Sequence, residues 1–213
     1  MKYDVYLPKG DTVTNRPPIV LAHGGAFIDL LDQKSIDIVR LAQEFVLRGY
    51  VVFSIDYREE PTFASLLQEE LMVKALGRAL IDMRDATCYL MDTTLNYNNP
   101  YGIDPTKAII GGVSAGSVGF LHGVFLDSID WVSPQYKEWI LEVEPNTQAL
   151  LDNKYCGANV IGFLNFSGAI QDTSWIKDYN ADKYPAMMHC HGTADPIVPV
   201  SYTHLTLPTK PSV

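Results

Sequence analysis

Cysteine is scarce in this chain. Cys88, Cys156 and Cys190 are its only three in 213 residues, and they show no metal-ligand spacing. Cys88 falls in a helical pattern and Cys190 in a strand, so all three read as buried free thiols. A Cys88–Cys156 bridge is the alternative if the protein is exported. Basic residues are also in deficit: 16 Lys and Arg face 25 Asp and Glu, for a formal net charge of -9. Nucleic acid and anionic membrane surfaces both select basic patches, so neither is an expected partner. No apolar run is long enough to span a bilayer. The N-terminal stretch Met1-Lys2-Tyr3-Asp4-Val5-Tyr6-Leu7-Pro8 lacks the apolar segment of a signal peptide. Histidine is the last scarcity, with five in the chain.

What is present is a globular composition, 47% hydrophobic, in a chain long enough for one domain with a sizeable core. Strand and helix patterns alternate along it. Lys2–Leu7 alternates in polarity as an edge strand would. Pro18–Ala22 is a short apolar run. Ser35–Arg48 has helical spacing, with Ile38, Leu41, Ala42 and Phe45 on one face and Gly49 as a stop. Tyr50–Tyr57 reads as a strand and Ser65–Asp92 as a long helix. Lys107–Val113 is a further strand, followed by a helix over Ser117–Leu126. Asp127–Gly157 is polar and aromatic with weak helical character, and reads as a small lid. Val160–Phe166 and Ala186–His191 are the last strands. Such alternation implies βαβ units, hence a parallel sheet with helices on both faces.

Three motifs carry chemistry. The first is Gly112-Val113-Ser114-Ala115-Gly116, between a strand and a helix. A G-x-S-x-G there forms a turn too tight for side chains at the glycines, and it lifts the serine above the sheet. The helix N-terminus beside it favours a developing negative charge. The second is His23-Gly24-Gly25-Ala26-Phe27, directly after a strand. Such a loop lends a backbone N–H to an oxyanion hole. The donors would be Gly25 or Ala26, together with Ala115, the residue after the serine. His23 reads as a loop-shaping residue rather than a base. The third is His191-Gly192-Thr193-Ala194-Asp195-Pro196 after a late strand. Asp195 is placed to orient a histidine and stabilise its imidazolium form, with Asp172 the runner-up. Arg58 and Glu59 follow the Tyr50–Tyr57 strand, where a surface ion pair is expected.

With these motifs in this order, the chain from about Tyr3 to Pro199 resembles the α/β-hydrolases of the carboxylesterase kind. It is similar in particular to the group that includes bifunctional feruloyl and acetyl-xylan esterases. Tyr3-Asp4-Val5-Tyr6-Leu7-Pro8, Ser54-Ile55-Asp56-Tyr57-Arg58 and Tyr101-Gly102-Ile103-Asp104-Pro105 share in the likeness. The resemblance implies an α/β-hydrolase fold, a small-molecule ester substrate, and no metal or cofactor. It implies Ser114 as nucleophile, Asp195 as acid, and an oxyanion hole around Gly24, Gly25, Ala26 and Ala115. A peptidase or lactonase on the same fold, or a non-catalytic binding module, are the alternatives.

One departure stands out. The chain order of such a triad is Ser, Asp, His, yet only His204 follows Asp195. It lies in the stretch Val200-Ser201-Tyr202-Thr203-His204-Leu205-Thr206-Leu207-Pro208, which resembles translated read-through of a sequencing adapter. The expectation is therefore a hydrolase domain over 1–199, with a small lid at 127–157 and a non-native tail at 200–213. The triad histidine and the last strand and helix would be missing, leaving this chain catalytically incomplete. An earlier strand and an export signal are a further expected loss at the N-terminus.

Overall fold

Among the described residues, six strands form one sheet in the order β1-β3-β2-β4-β5-β6. A computed structural model of the chain describes residues 2–176 and 184–198. The strands are β1 (Tyr3–Tyr6), β2 (Ile19–Ala22), β3 (Val52–Ile55), β4 (Lys107–Val113), β5 (Asn159–Phe166) and β6 (Ala186–Cys190). Only β1 runs antiparallel to its neighbour, pairing Tyr3 with Ile55. The other pairs are parallel. β1 thus lies at the sheet edge, as its alternating polarity predicts.

The helices cover both faces. α1 (Ile36–Val46) turns Ile38 and Ala42 inward against Ile19, Leu21 and Val52. Gly49, at φ 88°, lets the chain leave that helix. On the other face lie α2 (Glu69–Asn96) and α3 (Ala115–Phe125). They share a core of Phe53, Ile110, Phe120, Phe125 and Phe163 with Ala79, Met83 and Leu90. β2 and β3 are buried on both sides, so they read as unbroken apolar runs rather than alternating ones. These are the features of an α/β-hydrolase fold.

Residues 127–157 form short helices. α4 (Pro134–Val143) starts at Ser133, whose hydroxyl accepts from the Tyr136 amide, and α5 (Thr147–Asp152) follows. α4 packs on α2, where Ile140 fits over Gly77.

The cysteines correct an expectation. Cys88 of α2 is bonded to Cys156, so neither is a free thiol. Cys190 is free but exposed rather than buried. Position on a helix or strand reports which face a thiol occupies, not which distant element comes to meet it.

Candidate active site

The parallel register brings the functional loops to one edge. Ala22 is level with Gly112 and with Ile55. Val113 is level with Phe166, and Phe166 with Cys190. The residues that follow, His23, Asp56, Ser114, Ser167 and His191, therefore all leave the sheet at its C-terminal edge. In open α/β sheets this is where ligands bind.

Ser114 sits at the turn between β4 and α3. Its backbone is at φ 49°, ψ -118°, a conformation that L-residues rarely adopt. The turn is held by two hydrogen bonds. The Ser114 amide donates to the Phe166 carbonyl at 2.8 Å, and the Ser114 carbonyl accepts from the Val118 amide at 2.9 Å. The flanking glycines are a steric necessity. A Cβ on Gly112 would lie 2.5 Å from the Ala22 carbonyl oxygen and 2.8 Å from the Ser117 nitrogen. A Cβ on Gly116 would lie 2.5 Å from the His23 carbonyl oxygen. The elbow thus grips the end of β2, and the His23-Gly24-Gly25 loop comes with it. A Cβ on Gly24 would be 3.4 Å from the Ser114 Cβ, so the two motifs are adjacent in space. Ala115 opens α3, where its N–H points out of the helix end.

The glycine loop is tied to the loop after β3. The Glu60 amide donates to Phe27 at 2.8 Å, and the Asp29 amide to Glu60 at 2.9 Å. Arg78 pairs with the buried Glu60 from α2. Ala26 and Phe27 have positive φ, 55° and 60°, so the loop is coiled tightly. Glu59 is less well served. Its Oε1 is buried without a hydrogen-bond partner among the described residues and would lie 3.3 Å from a Cβ on Gly25. Burial, reinforced by Asp56, Asp29 and Asp32, pushes its carboxyl up to about 8. Arg58 behaves as a surface ion pair is expected to, although not with Glu59. It grips both oxygens of Asp82 on α2, 2.8 Å at the closest, and also bonds Glu144.

Asp195 lies in the loop after β6. Its Oδ1 accepts from the amides of Ile197 and Val198 at 2.9 and 3.0 Å. Its Oδ2 is 3.5 Å from His191 Nε2. The two backbone donors hold its carboxyl below the usual range. Asp195 is thus an ionised, oriented carboxylate. Asp172 instead caps a single helical turn, accepting from the Ser174 amide at 2.8 Å.

The described histidines are occupied elsewhere. His122 is buried in α3, where its Nδ1 donates to Val118 at 2.8 Å and desolvation lowers its pKa to about 4. His189 accepts from the Asn165 side chain at 2.8 Å. His191 Nε2 donates to the Val198 carbonyl at 2.6 Å. His204 and the tail at 200–213 lie outside the described residues.

Two residues here were given no site role by the sequence, although they lie in a stretch that carries the family likeness: Asp56 and Tyr57. Tyr57 stacks on His23 with centroids 4.5 Å apart, and Asp56 Oδ1 is 3.3 Å from His23 Nε2. Their signal was the strand register, which sets the end of β3 beside the end of β2. His23, Asp56 and Glu59 also bring three possible metal-ligand atoms within 4.8 Å of one another.

The comparisons bear on family and fold. The family model BD-FAE matches residues 3–154. Among curated proteins none matches the chain. Among solved structures it is similar to the apo form of Thermogutta terrifontis esterase 2, with TM-score 0.60 and 18% identity over 95% of this chain and 70% of that one. The same esterase phosphonylated by sarin gives TM-score 0.61 at 18% identity, over 95% and 71% of the two chains. A bifunctional GH43-CE protein from Bacteroides eggerthii gives 0.54 at 15% identity, covering 95% of this chain and 27% of that one. At these identities the likeness is one of fold.

Proposed function

Because the chain belongs to the BD-FAE family of esterase-like α/β hydrolases, we propose that it is built for carboxylic ester hydrolysis through a covalent acyl-serine. Ser114 Oγ attacks the ester carbonyl and the alcohol departs. Water then attacks the acyl-serine, releasing the acid and restoring the hydroxyl. The charge on the carbonyl oxygen is met by the N–H groups of Ala115 and the glycine loop, which are fixed before reaction begins. Asp195 is the acid of the triad, a carboxylate suited to orienting an imidazole. The base is assigned to none of His23, His122, His189 or His191, since each is committed to another partner.

The observation that carries this reading is the backbone of Ser114, at φ 49° with the Gly24 loop against it. Its neighbour in fold, Thermogutta terrifontis esterase 2, is phosphonylated by sarin, a reaction that suits an activated nucleophile. The test is release of p-nitrophenol from p-nitrophenyl acetate. Turnover is expected above the Ser114→Ala background. Equal rates for the chain and its Ser114→Ala variant would refute the proposal. Loss of turnover in His204→Ala would identify His204 as the base.

A further inference from the structure

The glycine loop is held from behind by the side chains of Tyr57 and His23. The Tyr57 hydroxyl lies 3.0 Å from the His23 carbonyl oxygen and 3.4 Å from the Gly24 carbonyl oxygen. His23 Nδ1 lies 2.7 Å from the same Gly24 oxygen. A carbonyl can only accept, so Nδ1 carries a proton and donates. Asp56 at Nε2 and the Tyr57 ring beneath set the plane of the imidazole. Tyr57 is buried, and desolvation raises its pKa well above the usual phenol range, so the hydroxyl remains a donor at working pH.

The consequence lies in the next peptide. In a trans peptide the N–H points opposite to the C=O, and among the described residues no peptide is cis. The Tyr57 hydroxyl, bonded to the His23 carbonyl and bifurcated toward Gly24, and the His23 Nδ1–H on the Gly24 oxygen together fix the direction of the Gly25 N–H, away from Tyr57. Among the described residues that N–H donates to no backbone acceptor. Gly24 itself is the residue that approaches Ser114.

We infer that Tyr57 is a positioning residue: through the carbonyls of His23 and Gly24 it aims the Gly25 N–H at the oxyanion. This rests on the serine-hydrolase reading of Ser114. Tyr57 touches no reacting atom. Its effect is confined to the stage at which the carbonyl oxygen becomes negative, so it acts on kcat more than on KM.

The experiment uses Tyr57→Phe in the full chain, which keeps the ring stack and removes the hydroxyl. Two readouts are needed. In protein labelled with [15N]glycine, the Gly25 amide resonance, assigned by its loss in Gly25→Ala, is expected to shift or double in Tyr57→Phe. The resonances of Gly10 and Gly157, remote glycines with open space around them, should stay in place. With p-nitrophenyl acetate, kcat is expected to fall about 10- to 100-fold. That is less than the 10²–10³ typical of a donor lost outright, and KM should stay within about twofold. Tyr101→Phe removes a hydroxyl from the Tyr3–Tyr101 pair and should leave kcat unchanged. An unmoved Gly25 resonance overturns the inference, and so does a moved resonance with kcat unchanged. If Ser114→Ala turns over as fast as the parent chain, the hydrolase reading itself has failed and this inference fails with it. That outcome is distinct from a Tyr57→Phe variant that keeps full activity while Ser114→Ala has none.

Discussion

Gly116 of α3 packs directly against the carbonyl of His23, so close that a Cβ on the glycine would sit 2.5 Å from that oxygen. This contact joins the elbow to the glycine loop and leaves no room for relaxation, because the obstructing atoms are backbone. Gly116→Ala should destabilise the chain by about 1–3 kcal/mol or more, as overpacking of a tight core does. The measurement is the urea midpoint, with Gly157→Ala as a comparison. Gly157, unlike Gly116, has positive φ, but a Cβ there meets nothing within 4 Å among the described residues. Gly116→Ala falling no further than Gly157→Ala would show that the elbow and loop are not in contact.

The bond between Cys88 and Cys156 closes a loop with a sequence separation of 68 residues, which includes Ser114 and α4. Cross-linking a loop of that size restricts the unfolded chain by about 4 kcal/mol in the chain-entropy account. Cys88→Ser, or reduction before unfolding, should lower stability by about 2–4 kcal/mol in urea titrations. Identical curves with and without reductant would remove the bridge from the account.

Glu59 gives stability a pH dependence. Its ordinary value is 4.5 and its folded value about 8, raised by burial and by Asp56, Asp29 and Asp32. Between those values the folded chain holds a proton that the unfolded chain has released. Stability from this group is therefore complete below about pH 4.5, and it falls as pH rises through about 8. Glu59→Gln cannot ionise. It should be more stable than the parent at pH 8.5 and nearly equal to it at pH 5, in chemical unfolding at matched salt. Parallel pH profiles would show that Glu59 is ionised throughout.

Much of this fold is legible in the residues. β4 matches the apolar run Lys107–Val113, and the helix after it begins at Ala115, two residues before its expected start. The discrepancy follows from the elbow, which turns strand into helix within the single residue Ser114. α2 begins at Glu69 rather than Ser65 and runs on to Asn96, since helix ends depend on local capping more than on periodicity. The glycines of both motifs announced close backbone approach, and the structure supplies the atoms they approach. Other features were not legible. The Cys88–Cys156 bridge stood in the sequence only as an alternative, because the two meet through the 127–157 segment folding back on α2, a long-range event with no local signature. Asp56 and Tyr57 acquire their partners from parallel register across β2 and β3. Nothing in their immediate sequence names His23 as that partner.

The central claim is that Ser114 is an activated nucleophile, and the most direct test is where a fluorophosphonate bonds. The native chain is incubated with the reagent, digested, and the adduct located by mass spectrometry. An oxyanion hole alone retains about 10³–10⁴ of rate over water when a triad is incomplete, so selectivity survives even without a base. The account predicts one adduct, on Ser114, absent from Ser114→Ala and lost when the chain is unfolded in urea. Adducts spread over several serines, or labelling unchanged in Ser114→Ala, would contradict it.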